Sequence, residues 1–107
     1  MNKITSENWL EASNNKESFQ KVESLFDSVR IKRSSQEPSR LPQNLKSLDS
    51  IQIQDIEGQN QTFKEMLTST HTDAFLVLKD GEILFEEYFN DMKSDSFHLM
   101  NSITKSF

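Results

Sequence analysis

Apolar positions are unevenly spread along this chain: they crowd between Ala74 and Phe89 and are thin over the first sixty residues. Within the dense stretch, Ala74–Lys79 and Glu82–Phe89 are strand-like. The dipeptide between them, Asp80-Gly81, accepts the positive φ of a type I′ turn. The pattern predicts a β-hairpin. A two-residue loop places Leu78 opposite Ile83 and Leu76 opposite Phe85 on one face. The other face carries Phe75, Val77 and Leu84, with Tyr88 further along. Both faces are apolar, which suits strands inside a sheet covered on two sides. An isolated hairpin is marginal in water, and this one also needs two covering layers.

Just upstream, Thr62-Phe63-Lys64-Glu65 reads as a capping box: the Thr oxygen can satisfy the N3 amide while Glu65 reaches back to the cap. Phe63, Met66 and Leu67 then share a face, giving a short helix from about Thr62 to Ser69. Earlier, Phe19, Val22, Leu25, Phe26 and Val29 recur at helical spacing and predict a short amphipathic helix over Ser18–Val29. Residues 1–14 are polar and read as a mobile end, with Trp9 and Leu10 available to dock on a partner surface. From Ser34 to Gln54 both prolines and many turn formers mark an irregular, mostly extended connector. The chain thus divides into an arm, residues 1–60, and the start of a domain, residues 61–107. These few elements cannot cover a two-faced hairpin, so the text reads as part of a larger fold.

Composition narrows the classes. Hydrophobic residues are 34% of the 107, below the about 45–50% of a typical globular domain. Eight Phe argue against wholesale disorder. A net charge of −5 gives no general affinity for nucleic acid, and Arg30-Ile31-Lys32-Arg33 reads as a solvated helix end rather than an anion site. The absence of cysteine excludes disulfides, thiolate metal sites and a cysteine nucleophile. No stretch has the length and apolarity of a membrane span, and the first twenty residues hold no signal-peptide core. If Met1 is the true start, the expectation is a cytoplasmic protein with no membrane partner.

One stretch carries candidate chemistry: Ser102-Ile103-Thr104-Lys105. Residues three apart on a helix share a face, so the lysine amine can reach the serine hydroxyl. A serine alcohol is a poor nucleophile until a base takes its proton. A lysine is that base only when burial or neighbouring cations make the neutral amine available. A serine at a helix start also gains from the helix dipole, and its own N–H can serve as one oxyanion donor. The spacing alone is weak, because Ser13-Asn14-Asn15-Lys16 and Ser18-Phe19-Gln20-Lys21 share it. Only Ser102 follows an apolar hairpin by a short loop. His98 reads as a packed or hydrogen-bonded loop residue and His71 as a turn residue, neither with the companions of a metal site. No cofactor is called for.

Thr72 to Phe107, "TDAFLVLKDGEILFEEYFNDMKSDSFHLMNSITKSF", resembles the segment around the nucleophile in β-lactamase-related serine hydrolases. That superfamily includes class C β-lactamases, penicillin-binding DD-peptidases, the related esterases and 6-aminohexanoate-dimer hydrolase. The likeness is strongest to the 6-aminohexanoate-dimer hydrolase branch. There, too, Thr-Asp precedes an apolar strand, a turn of basic residue, any residue and Gly, and an aromatic-rich strand ending in Tyr-Phe. A loop with a histidine then leads to Ser-x-x-Lys-Ser-Phe. The upstream "NWLE" and "LPQNLKSLDSI" are similar to that branch's N-terminal arm.

The resemblance implies an α+β fold, an antiparallel sheet flanked by helices, of which this chain holds the N-terminal part. It implies an acyl-enzyme on Ser102, Lys105 as the base, and a small amide or ester substrate. The family also uses a tyrosine motif and a third motif on an edge strand, both downstream of the nucleophile. Tyr88-Phe89-Asn90 and Lys79-Asp80-Gly81 imitate them but precede Ser102 and read as parts of the hairpin. The chain alone is therefore expected to be inactive. The competing expectations are a small non-enzymatic interaction module, pairing through the hairpin edge, and the remnant of a truncated gene.

Overall fold

The computed structural model describes residues 3–107. Among them the chain forms strands β1 (Gln52–Gln54), β2 (Asn60–Thr62), β3 (Ala74–Lys79) and β4 (Glu82–Tyr88), and helices α1 (Asn15–Ser18) and α2 (Phe63–Ser69). Short 3-10 helices occupy Val22–Ser24 and Asn101–Ser106. The class is α+β, with two antiparallel two-stranded sheets. Two compact units result: Gln36–Asp91, and the arm up to Ser35 joined by Met92–Phe107. They do not coincide with segments 1–60 and 61–107, because the connector belongs with the hairpin and the chain's last stretch with the arm.

In unit Gln36–Asp91, β3 and β4 pair as predicted across Asp80 (φ 52°) and Gly81 (φ 78°). Leu78 faces Ile83, but the expected pairing of Leu76 with Phe85 is wrong. Leu84 is an extra residue, so Val77 pairs with Phe85 and Leu76 with Glu86. The bulge has a packing reason. It brings Phe85 to the side of Phe75 and Val77, where Phe63 of α2 meets the rings of Phe75 and Phe85, each at 5.2 Å and edge-on. The Phe75 and Phe85 rings are 6.2 Å apart. Such pairs contribute about 0.5–1.5 kcal/mol each beyond area burial. The opposite face is uncovered: Leu76 and Leu78 are 55% and 51% exposed.

Helix α2 is built by local rules. Thr62 accepts a hydrogen bond from the Glu65 amide at 3.1 Å, one half of the expected capping box; among the described residues the Glu65 carboxylate makes no return bond to Thr62. At the other end the amides of His71 and Thr72 donate to the carbonyls of Thr68 and Leu67, with His71 at φ 54°. That is a Schellman closure, and histidine is among the side chains that tolerate positive φ. Phe63 and Leu67 face inward at 6% and 4% exposure and form the apolar core of this unit.

The connector is more ordered than expected. Gln43 bridges Ile83 in parallel, with the Ile83 amide donating to Pro42 and the Asn44 amide to Ile83. With the Lys46 amide donating to the Leu84 carbonyl, the connector engages the outer side of β4 at Ile83 and Leu84. Strands β1 and β2 form a second hairpin around Asp55, whose carboxylate accepts from the Glu57 and Gln59 amides, with Gly58 at φ 81°.

In the arm, the helix expected over Ser18–Val29 is absent as a continuous element. One α-turn covers Asn15–Ser18, one 3-10 turn Val22–Ser24, and Val29 is 91% exposed. The physical reason is a competing donor. The Phe19 carbonyl, which a continuous helix would offer to the Glu23 amide, instead accepts from the Leu99 amide at 2.8 Å. The Ser24 hydroxyl likewise donates to the Lys21 carbonyl. Within the polar first stretch, residues 5–14 wind through turns closed by Asn8 to Thr5, Glu11 to Asn8 and Asn14 to Glu11 backbone bonds. Trp9 is not a free docking residue, since its ring packs edge-on against Phe19 and Phe26.

Candidate active site

Ser102 and Lys105 both lie in the 3-10 helix Asn101–Ser106. In a 3-10 helix residues three apart eclipse, so the two side chains leave the same line of the helix surface. The helix has no side-chain cap, and it opens on Asn101 at φ 51°, a left-handed conformation that asparagine adopts at low cost. Both Ser102 and Lys105 are exposed. Among the described residues neither side chain makes a hydrogen bond or ion pair. The backbone thus supplies the spacing, while the enclosure that would turn a lysine into a base is not formed by these residues.

The approach to that helix is more firmly held. The Leu99 amide donates to the Phe19 carbonyl at 2.8 Å. The His98 ring stands edge-on to Phe19 at 6.3 Å, with Nδ1 2.8 Å from the Leu99 carbonyl oxygen. One residue earlier, the Arg30 guanidinium lies 5.1 Å over the Phe97 ring. Arg30 is also paired in bidentate fashion with Glu23, at 2.7 and 2.8 Å. The hydrogen bond from Arg30 lowers the Glu23 pKa, and the same bond raises that of Arg30. The Arg30–Arg33 cluster is therefore not a helix end: Arg30 is a clamp on Phe97.

The two motif look-alikes have structural roles. The Tyr88 hydroxyl donates to Glu86, and this bond raises the phenol's pKa, with lesser contributions from desolvation and from the carboxylate's charge. The Asn90 side chain donates to the Thr72 carbonyl and to the Asp73 carboxylate at 3.2 and 2.9 Å, tying off the open end of the hairpin. Asp80 and Gly81 are the turn itself. His71 caps α2.

A cavity of about 360 Å³ in the arm is lined by Lys3, Ile4, Glu17, Ser18, Lys21, Ser24 and Leu25. Its polar groups are largely occupied internally: Lys21 pairs with Glu17 at 2.7 Å, and the buried Ser18 hydroxyl donates to the Trp9 carbonyl at 2.6 Å. Among the described residues no three His, Asp or Glu side chains converge as metal ligands, and no helix is long and apolar enough to cross a membrane.

No family model matches the chain. It is 31% identical over 104 residues to the 6-aminohexanoate-dimer hydrolase of Paenarthrobacter ureafaciens, covering 95% of this chain and 24% of the relative. A solved structure from Bacillus anthracis, assigned as a 6-aminohexanoate-dimer hydrolase, matches with a TM-score of 0.81 at 30% identity, over 92% of this chain and 25% of that one. The chain spans about a quarter of the length of the relatives it matches. Its similarity to those hydrolases is a partial match, and its fold is that of the matching quarter.

Proposed function

We propose that these residues form the nucleophile-bearing N-terminal part of a serine hydrolase of the β-lactamase-related class. Ser102 attacks a carbonyl carbon and Lys105 takes the hydroxyl proton. The tetrahedral adduct collapses to an acyl-Ser102 ester, expelling an amine or alcohol that leaves with a proton. Water then attacks the ester, releasing the acid and restoring the serine. The names of the relatives favour an amide between two short amino-acid units as substrate over a simple ester. The carrying observation is the similarity over 92% of this chain to one quarter of a hydrolase structure. It is joined to a serine and lysine three apart on one helical turn after the hairpin.

The reading also accounts for what this stretch lacks. The uncovered face with Leu76 and Leu78, and the exposed Ser102 and Lys105, are surfaces that further parts of a sheet-and-helix fold would close over. Closure would strip water from the lysine and supply the second oxyanion donor. The test is to treat the full-length protein carrying residues 1–107 with a serine-directed phosphonate and locate the adduct by peptide mass spectrometry. Selective modification of Ser102 is expected. Modification of Ser13 or Ser18 at the same rate, or none at Ser102, removes the proposal.

A further inference from the structure

Three consecutive residues ahead of the candidate nucleophile are each engaged by the N-terminal arm. Phe97 lies under the Arg30 guanidinium, His98 stands against the Phe19 ring, and the Leu99 amide is bonded to the Phe19 carbonyl. The holders are themselves held. Arg30 is fixed by its two bonds to Glu23. The Phe19 ring rests on Trp9 at 6.0 Å, and Trp9 on Phe26 at 5.2 Å. Next to Phe19, Ser18 is 1% exposed and bonds the Trp9 carbonyl. The arm therefore meets residues 97–99 with a planar cation, an aromatic ring and a backbone acceptor, each with its own support. Between Leu99 and Ser102 stand only Met100 and Asn101, the latter in a left-handed turn that fixes the direction of the helix start.

We infer that Phe19 and Arg30 are positioning residues for the hydrolase reaction, setting the place of Ser102 by gripping residues 97–99. The inference rests on the reading of Ser102 as nucleophile. Its physical basis is that a displacement of about 1 Å at a reacting atom can cost roughly a hundredfold in rate. A short uncapped 3-10 helix has little rigidity of its own to prevent one. Neither residue touches substrate in this scheme. They act through the backbone, so their loss falls on the acylation step and not on ground-state binding.

The experiment uses the full-length protein carrying residues 1–107. It measures the rate of Ser102 acylation, kcat and KM for a short amide substrate, and amide hydrogen exchange at Leu99. Phe19→Ala is expected to lower the acylation rate and kcat by about a hundredfold with KM within about twofold, and to speed Leu99 exchange at least about tenfold. Phe19→Tyr, which keeps the ring, restores both. Phe97 is 66% exposed, so Phe97→Ala tests the grip without endangering folding. Phe97→Ala and Arg30→Ala should each lower kcat about tenfold. Leu10→Ala, at an exposed arm position outside the grip, should change neither rate nor exchange. If Phe97→Ala and Phe19→Ala acylate at the wild-type rate, the inference is overturned while the hydrolase reading stands. If wild-type Ser102 is never acylated, the hydrolase reading fails and takes the inference with it, and Leu99 exchange then reports only a structural contact.

Discussion

Two stretches of this chain share a pattern of residue types without sharing a residue at any position. Thr62-Phe63-Lys64-Glu65 and Ser102-Ile103-Thr104-Lys105 each set a hydroxyl three residues ahead of a long charged side chain at the start of a helical turn. At the first, the hydroxyl caps the helix and the next residue, Phe63, is sealed against two rings at 6% exposure. At the second, the hydroxyl caps nothing and the next residue, Ile103, is 65% exposed. A cap needs only its own backbone, so the first stretch is complete as it stands. In the role proposed for it, Ser102 has one oxyanion donor in its own amide, but the second donor and the dry surroundings that make Lys105 a base come from elsewhere in a fold. The same local pattern is finished in one setting and unfinished in the other.

The largest expected difference between the two stretches is chemical. On the proposed mechanism, in a full-length protein carrying residues 1–107, Ser102→Ala should reduce turnover by at least about a thousandfold, and Lys105→Ala by nearly as much, because a nucleophile and its base act as a unit. The double variant should be scarcely worse than either single one. Lys105→Arg should give no rescue, since a guanidinium does not release its proton at working pH. Steady-state kinetics checks all four. Strictly additive losses would show that the two residues do not act together.

Next in size is the core beneath the first stretch. Phe63→Ala removes the ring shared by Phe75 and Phe85 and should destabilise the hairpin by about 3 kcal/mol, toward the low end for a buried aromatic because Leu76 and Leu78 already lie open to water. Amide hydrogen exchange across β3 and β4 reads this directly. A smaller effect separates the hydroxyls. Thr62→Ala should cost about 1 kcal/mol of α2 stability, the usual worth of a cap, seen as faster exchange at the Glu65 amide. Ser102→Ala should leave the stability of its own helix unchanged. Equal stability losses at the two sites would erase the distinction.

What the sequence made legible follows the same division. Helix α2 and the β3–β4 hairpin could be read to within a residue, because a cap, a turn dipeptide and an alternating pattern act over a few neighbours. The β1–β2 hairpin was hidden by its polar strands, although Asp55 followed by Gly58 was a usable turn signal. Features decided at long range left no local trace. The Leu84 bulge follows from three rings meeting, the Gln43 bridge from pairing with Ile83, and the broken arm helix from Leu99 taking the Phe19 carbonyl. The spacing of Ser102 and Lys105 was visible. The grip on residues 97–99 was not, since nothing in "FHL" points to Phe19 or Arg30.

The smallest expected effect concerns a third look-alike and bears most closely on pattern against setting. Tyr88-Phe89-Asn90 imitates the tyrosine motif of the β-lactamase-related hydrolases that the sequence resembles, and a tyrosine sharing in proton transfer works best with its pKa brought toward the working pH. Tyr88 is moved the other way: its hydroxyl donates to Glu86, which raises the phenol above the usual 10. The sign for stability follows. A pKa raised on folding means that the bond contributes fully below the unfolded value of about 10 and is lost as pH climbs through the folded one. Because the side chain is partly open to water, the contribution is small, and Tyr88→Phe should cost at most about 0.5 kcal/mol. Tyr88 is the chain's single tyrosine, so phenolate absorbance of the 107-residue protein titrates it alone. The midpoint should lie above 10 and fall toward it in Glu86→Gln. A midpoint below 10 would instead mark Tyr88 as tuned for proton transfer, and the hairpin would then hold a catalytic group that its hydrogen bonding here argues against.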